Sequence, residues 1–300
     1  MTSRTWKIGI YAPAGCATDP DALGRAVATL ESAGHRVHVD PGCTARWQRF
    51  AGTDDERLAA LWRMARDPDV ELALAMRGGY GWSRLLDRID FEALARCGKR
   101  WMGHSDFTAF GLAALASAGM VTFAGPMAAY DFGAVEPSAF TRHHCWALLA
   151  GERHSVACTL AGPDADVEGT LWGGNLALVA HLAGSRYLPA PADGILVLED
   201  IGESPYRIER MLYQLHFCGV LERQRAIVLG AFNGFEPGPN DHGHDLDAVV
   251  AHWRERLGAP LYTGLAFGHV RDKLTLPVGG RVALRVRGGA ATLEFSGYAR

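Results

Sequence analysis

Three residues whose types together perform acyl transfer stand at turn-like places along this 300-residue chain: Ser105, Glu199 and His269. Ser105 lies in Trp101-Met102-Gly103-His104-Ser105-Asp106-Phe107-Thr108, where a short apolar run meets a Gly-containing turn and an unbroken apolar segment continues from Phe107 to Ala118. That order predicts strand, sharp turn and buried helix. The serine then stands clear on the turn, with the N–H groups of the helix start beside it. An exposed Oγ with oxyanion donors alongside is what a serine nucleophile requires. The hydrolase elbow G-x-S-x-G is not matched, because Phe107 replaces its second glycine. A Ser-Asp pair opening a helix also serves as a plain N-cap.

The other two residues complete a set. Glu199 follows the apolar run Gly194 to Leu198, where a carboxylate can orient a histidine or cap the next helix. His269 lies in Phe267-Gly268-His269-Val270, a Gly-flanked loop from which an imidazole can project into a cleft. Nucleophile, orienter and base in this chain order match one of several orders by which the same triad geometry arises on unrelated folds.

Two further groupings admit other chemistry. Arg77-Gly78-Gly79-Tyr80-Gly81 follows an apolar strand pattern, Leu72 to Met76. Its glycines leave backbone amides open to a ligand, but the spacing is not that of a nucleotide loop and no Lys-Ser/Thr follows. His143-His144 and His242-Gly243-His244 raise a metal site. Adjacent helical residues diverge, however, and the second pair falls in a polar loop, so no metal is expected.

The elements that must position these residues read in two styles. In the first half, apolar runs at Lys7 to Ala12, Val37 to Val39, Leu72 to Met76 and Val121 to Ala124 alternate with helical patterns. A helix is expected after the N-cap and N1 pair Asp19-Pro20, and another behind the capping box Thr53 to Glu56. Further helices are expected from Trp82 to Arg88, after Asp90, and from Pro137 to Ala150. Alternation of this kind predicts a parallel sheet covered on both faces, with ligands at the carboxyl ends of its strands, where the Arg77 loop and Ser105 fall. The polar stretch Glu152 to Glu168 reads as a crossing between domains. Strands at Gly194 to Leu198 and Ala226 to Ala231 and helices at Leu176, Ser204-Pro205 and Asp245 follow. Three short strand-like runs from Leu274 to Phe295 predict an antiparallel, barrel-like end. The division expected is 1–135 for an α/β nucleophile domain, 136–168 for a connecting helix and linker, and 169–300 for a domain carrying Glu199 and His269.

Composition bounds the class. Hydrophobic content of 48% and charged content of 21% suit a soluble globular enzyme, and a formal charge of 30 − 33 = −3 calls for neither nucleic acid nor anionic lipid. Met1 to Lys7 carries no apolar core of signal-peptide length, and no run approaches membrane-spanning length. Six scattered cysteines without a CxxC pair predict reduced thiols and a cytoplasmic setting.

Taken in order, Arg77-Gly78-Gly79-Tyr80-Gly81, Gly103-His104-Ser105-Asp106, Gly173-Gly174-Asn175-Leu176, Leu198-Glu199-Asp200-Ile201, Arg210-Met211-Leu212 and Gly268-His269 resemble the successive motifs of the LD-carboxypeptidases, a family of serine peptidases. The resemblance runs from about Lys7 to Leu284 and keeps order and spacing. Ser105-Asp106-Phe107-Thr108-Ala109, Gly125-Pro126-Met127 and Gly169 to Asn175 are most similar to the family's cytoplasmic members that act in cell-wall recycling. It implies a flavodoxin-like parallel N-terminal domain of class I amidotransferase type, a mixed β-rich C-terminal domain, and a homodimer. It also implies a Ser105-Glu199-His269 triad across the domain interface, needing no metal or cofactor. The implied reaction is hydrolysis between the L-centre of meso-diaminopimelate, or L-Lys, and the terminal D-Ala of murein tetrapeptides. The N–H groups of Asp106 and Gly79 would then meet the oxyanion, with Arg77, Gly78, Tyr80, Trp172 and Asn175 binding substrate. The alternatives are a family relative that cleaves microcin-type peptide–nucleotide antibiotics, and a binding protein without chemistry.

Overall fold

The computed structural model describes residues 4–236 and 238–299. Through the first half, strands β1 (Lys7–Tyr11), β2 (Arg36–Val39), β3 (Leu72–Ala75), β4 (Arg100–Gly103) and β5 (Thr122–Ala124) alternate with helices α1 (Ala22–Ser32), α2 (Asp54–Arg66), α3 (Phe91–Arg96) and α4 (Phe107–Ala118). These strands pair in parallel in the order β2-β1-β3-β4-β5. That is the doubly wound arrangement in which both sheet faces are covered, so the strands inside the β2 edge are almost wholly buried. Every residue of β3 is buried. The helix behind Ser105, α4, is apolar nearly all round and buried from Phe107 to Ala114, as a helix sunk beneath a sheet edge must be.

The second half begins with α5 (Ala139–Ala150), β6 (His154–Thr159), β7 (Ala165–Asn175) and α6 (Leu176–Leu182). It continues through β8 (Gly194–Ile201), α7 (Pro205–Phe217), β9 (Gln224–Asn233), α8 (Leu246–Arg256), β10 (Leu261–Thr263), β11 (Leu276–Val278), β12 (Arg281–Arg287) and β13 (Ala290–Ser296). A second sheet runs β10-β9-β8-β7-β12-β13-β6, parallel from β10 to β7 and antiparallel beyond. A bridge between Ala161 and Thr263 ties the segment after β6 to β10, bringing the two edges of this sheet together. Of the three runs expected to form an antiparallel, barrel-like end, β12 and β13 do so, between β7 and β6. The third run, β11, instead joins the first sheet, antiparallel to β5.

Local chemistry accounts for several boundaries. Thr53 and Glu56 form the reciprocal capping box that opens α2, and Asp90 caps α3 through the N–H of Ala93. Other expectations shift. The helix expected after Asp19-Pro20 starts at Ala22, because Asp19 Oδ1 turns onto the Asp21 N–H instead of capping a helix there. The helix expected from Trp82 to Arg88 is two 3₁₀ turns, Trp82–Arg84 and Leu86–Arg88. The polar stretch expected as a crossing contains β6 and the start of β7. Their side chains alternate between buried or half-buried and exposed, which gave them the polar look of a linker. Among the described residues no helix is long and apolar enough to cross a membrane.

Candidate active site

Ser105 occupies the turn between β4 and α4 with φ +63°, the left-handed region that a non-glycine residue enters only under constraint. Gly78 makes room for it. A Cβ on Gly78 would stand 2.8 Å from Ser105 Cβ and 3.1 Å from its Oγ, so only glycine lets the Arg77 loop lie against the serine. Asp106, behind Ser105, is buried and its Oδ2 accepts the Trp82 N–H at 3.0 Å, pinning the elbow to the 3₁₀ turn. Burial pushes the Asp106 carboxyl up to about 6, against that bond and the pull of Arg57.

The second domain brings the other two residues. Glu199, at the end of β8, is fully buried, and its Oε2 lies 2.7 Å from His269 Nδ1. Gly268, at φ +126°, allows this approach: a Cβ there would sit 3.0 Å from Glu199 Oε2. With Nδ1 engaged, Nε2 is the nitrogen left for the cavity. Burial raises the Glu199 carboxyl, but the neighbouring imidazoles and the hydrogen bonds from His269 and Asn175 more than offset it, leaving it below its ordinary value. Its Oε1 accepts from Asn175 Nδ2 at 3.3 Å, and the same amide donates to Asp200 Oδ1 at 2.8 Å.

Ser105 and His269 share one cavity of about 550 Å³ with Arg77, Gly78, Gly79, His104, Asp131 and Lys273 among its walls. A larger depression of about 700 Å³ over α2, beside Leu58 and Trp62, contains none of the chemistry-bearing residues. Arg77 is braced from behind, its Nη1 donating to the Cys16 carbonyl at 2.6 Å.

Three residues expected to bind substrate do not line that cavity. Trp172 is 1% exposed, packed within β7 with its indole N–H on Gln224 Oε1 at 2.8 Å. Asn175 is 4% exposed; it caps α6 through the Leu178 N–H and holds Glu199, so it positions the carboxylate. Tyr80 is not on the cavity wall, and its ring lies 6.0 Å from that of Phe50. The histidines weighed for metal disperse: His144 meets His154 at 3.1 Å, and His244 lies 3.2 Å from Glu209.

His104, in the motif Gly103-His104-Ser105-Asp106, is a further residue at the site. Its ring is 2% exposed and stands 4.8 Å from that of His269, with Nε2 3.8 Å from Glu199 Oε1 and no hydrogen-bond partner among the described residues. Burial drives it down to about 3, so it is neutral. The signal available was adjacency: a residue next to an elbow serine points back under the sheet. Among the described residues, the one grouping with metal-like proximity is His104, Glu199 and His269, whose ligand atoms lie within 4.8 Å of one another. Within it, Glu199 and His269 are hydrogen-bonded to each other.

A strained serine beside open amides, with an imidazole backed by a buried carboxylate, is an arrangement that can carry nucleophilic acyl transfer. The chain belongs to the LD-carboxypeptidase family: residues 8–125 match its N-terminal domain and residues 168–284 its C-terminal domain. It is similar to the murein tetrapeptide carboxypeptidase of Pseudomonas aeruginosa, 33% identical over 93% of this chain and 96% of that one. It is also similar to a probable murein peptide carboxypeptidase of Bacillus subtilis, 31% identical over 96% and 91% of the two chains. The crystal structure of muramoyltetrapeptide carboxypeptidase from Oxalobacter formigenes superposes with TM-score 0.92 at 45% identity, covering 98% of this chain and 99% of that one.

Proposed function

We propose that this protein is a serine LD-carboxypeptidase that releases terminal D-Ala from murein tetrapeptides. The observation that carries the reading is the 2.7 Å Glu199–His269 contact at the wall of the cavity onto which Ser105 opens. His269 Nε2 takes the proton of Ser105 as Oγ attacks the carbonyl between the diamino acid and D-Ala. Glu199 fixes the tautomer and stabilises the imidazolium. The tetrahedral oxyanion is met by the N–H groups of Asp106 and Gly79. Its collapse breaks the C–N bond, His269 returns the proton to the leaving amine, and water then releases the acyl group by the same route. Arg77, on the cavity wall, holds the free carboxylate of D-Ala. The resemblance to recycling enzymes supports a cytoplasmic homodimer; analytical ultracentrifugation tests the dimer directly.

The deciding assay is free D-alanine from a tetrapeptide and from the matching D-Ala–D-Ala pentapeptide at equal concentration. Release from the tetrapeptide alone, lost in Ser105→Ala, is expected. Equal release from both would remove the LD assignment, and cleavage of an aminoacyl sulfamoyl nucleoside in place of either would favour the antibiotic-immunity alternative.

A further inference from the structure

The same cavity carries charges that the triad chemistry does not use. Asp131, on the π-helical turn Ala128–Phe132, and Lys273, four residues beyond His269, stand with Oδ1 and Nζ 2.7 Å apart. Their side chains are 9% and 5% exposed, and both border the cavity together with Arg77 and Arg271. The pair is held from both sides. Asp131 Oδ2 accepts the Met127 N–H at 2.7 Å. The Lys273 N–H donates to Thr141 Oγ1 at 2.9 Å, and that hydroxyl donates to the Arg271 carbonyl at 2.9 Å. A buried ion pair loses hydration that its mutual attraction barely returns, so an apolar pair of similar volume would be as stable. Its place on a cavity wall, on a π-turn of the kind often found at functional sites, points to a ligand and not to folding.

The charge count says which ligand. Among the described residues, the walls present three cations, Arg77, Arg271 and Lys273, and one carboxylate, Asp131. On the reading above, the two residues that flank the scissile bond of a diaminopimelate tetrapeptide bring two carboxylates and one ammonium. One carboxylate ends D-Ala; the other stands with the ammonium on the distal centre of the diamino acid. A lysine residue there lacks the distal carboxylate. We propose that Asp131 and Lys273 form a specificity site that reads this zwitterionic centre, Asp131 accepting its ammonium and Lys273 holding its carboxylate. An ammonium carries three donors, of which Asp131 takes one. The two pairs then close a ring of four alternating charges in which none is left buried and unpaired. The inference rests on the LD-carboxypeptidase reading and adds the residues that select diaminopimelate over lysine.

The test measures kcat/KM for D-alanine release by the full-length protein on four tetrapeptides. These carry free meso-diaminopimelate, its distal carboxamide, its distal N-acetyl form, or L-lysine. The wild type should prefer the first by about tenfold or more over each of the others, since each leaves a wall charge unmatched. Lys273→Met should erase the difference between free acid and carboxamide, and Asp131→Asn that between free amine and N-acetyl. Wild-type rates within twofold across the panel would overturn the proposal without recourse to any variant. So would variants that lose all four substrates in parallel, which would make the pair a structural strut. No D-alanine from any peptide would instead remove the carboxypeptidase reading, and this inference with it.

Discussion

The hydroxyl of Thr108 accepts the backbone N–H of Asn175 at 3.0 Å, across 67 residues of chain. Thr108 stands in the first turn of α4, behind the Ser105 turn, and Asn175 is the N-cap of α6. Through Asn175 Nδ2 the contact continues to Glu199 Oε1 at 3.3 Å. The two domains are therefore registered by hydrogen bonds that run from the helix behind Ser105 to the carboxylate that holds His269.

Replacing Thr108 by valine keeps the shape and leaves the Asn175 N–H buried without an acceptor, at a cost of about 1–3 kcal/mol. Thr108→Val should lower the urea midpoint and reduce kcat more than it raises KM, while Thr108→Ser should restore both. A valine variant with unchanged kcat would mean that this contact holds the domains without aligning the site.

At the elbow, Ser105→Ala and His269→Ala should each lower turnover by on the order of 10⁴-fold or more, and Glu199→Gln by less, because it spoils orientation but not the attacking group. Ser105 also bears a left-handed backbone, which costs a non-glycine residue about 1–2 kcal/mol. Ser105→Gly should thus be as inactive as Ser105→Ala and more stable than it. Equal melting temperatures for the two would show that the turn is unstrained.

Acid stability should carry the mark of His104. Its folded value, driven by burial to about 3, lies below the ordinary 6.5, so the unfolded chain takes up the proton first. The stability it contributes is present above pH 6.5 and is lost as pH falls toward 3. Asp106 runs the other way: raised by burial from 3.8 to about 6, it contributes most below 3.8 and loses that contribution as pH rises through 6. Denaturant titrations at several pH values should show a shallower acid loss in His104→Phe. Asp106→Asn should show a smaller decline between pH 4 and 6. Curves parallel to wild type would place both groups in contact with water.

Chelation should leave the rate unchanged, since acyl transfer by Ser105 and His269 requires no ion. Excess zinc should inhibit by seizing the His104, Glu199 and His269 cluster, and His104→Phe should weaken that inhibition. Activity lost on dialysis with a chelator and restored by zinc would contradict the mechanism proposed above.

The local grammar of this protein was written in its residue order. The apolar runs of β3 and β4, the capping box at Thr53 and Glu56, the Asp90 cap and the all-apolar α4 are short-range matters of periodicity and backbone hydrogen bonding, and the elements follow them. Ser105 could be nominated for the same reason, because an elbow is a property of a few consecutive residues. Partnership was another matter. Nothing near Trp172 in the chain tells that its ring turns into the sheet toward Gln224, 52 residues away. Nothing near Asn175 tells that its amide reaches Glu199, 24 residues further on. The placement of β11 in the first sheet, the burial of His104 under Glu199, and the meeting of Asp131 with Lys273 join segments far apart in sequence. Those contacts exist only after two sheets have packed, when burial decides which polar atoms must find each other and which are left facing the cavity.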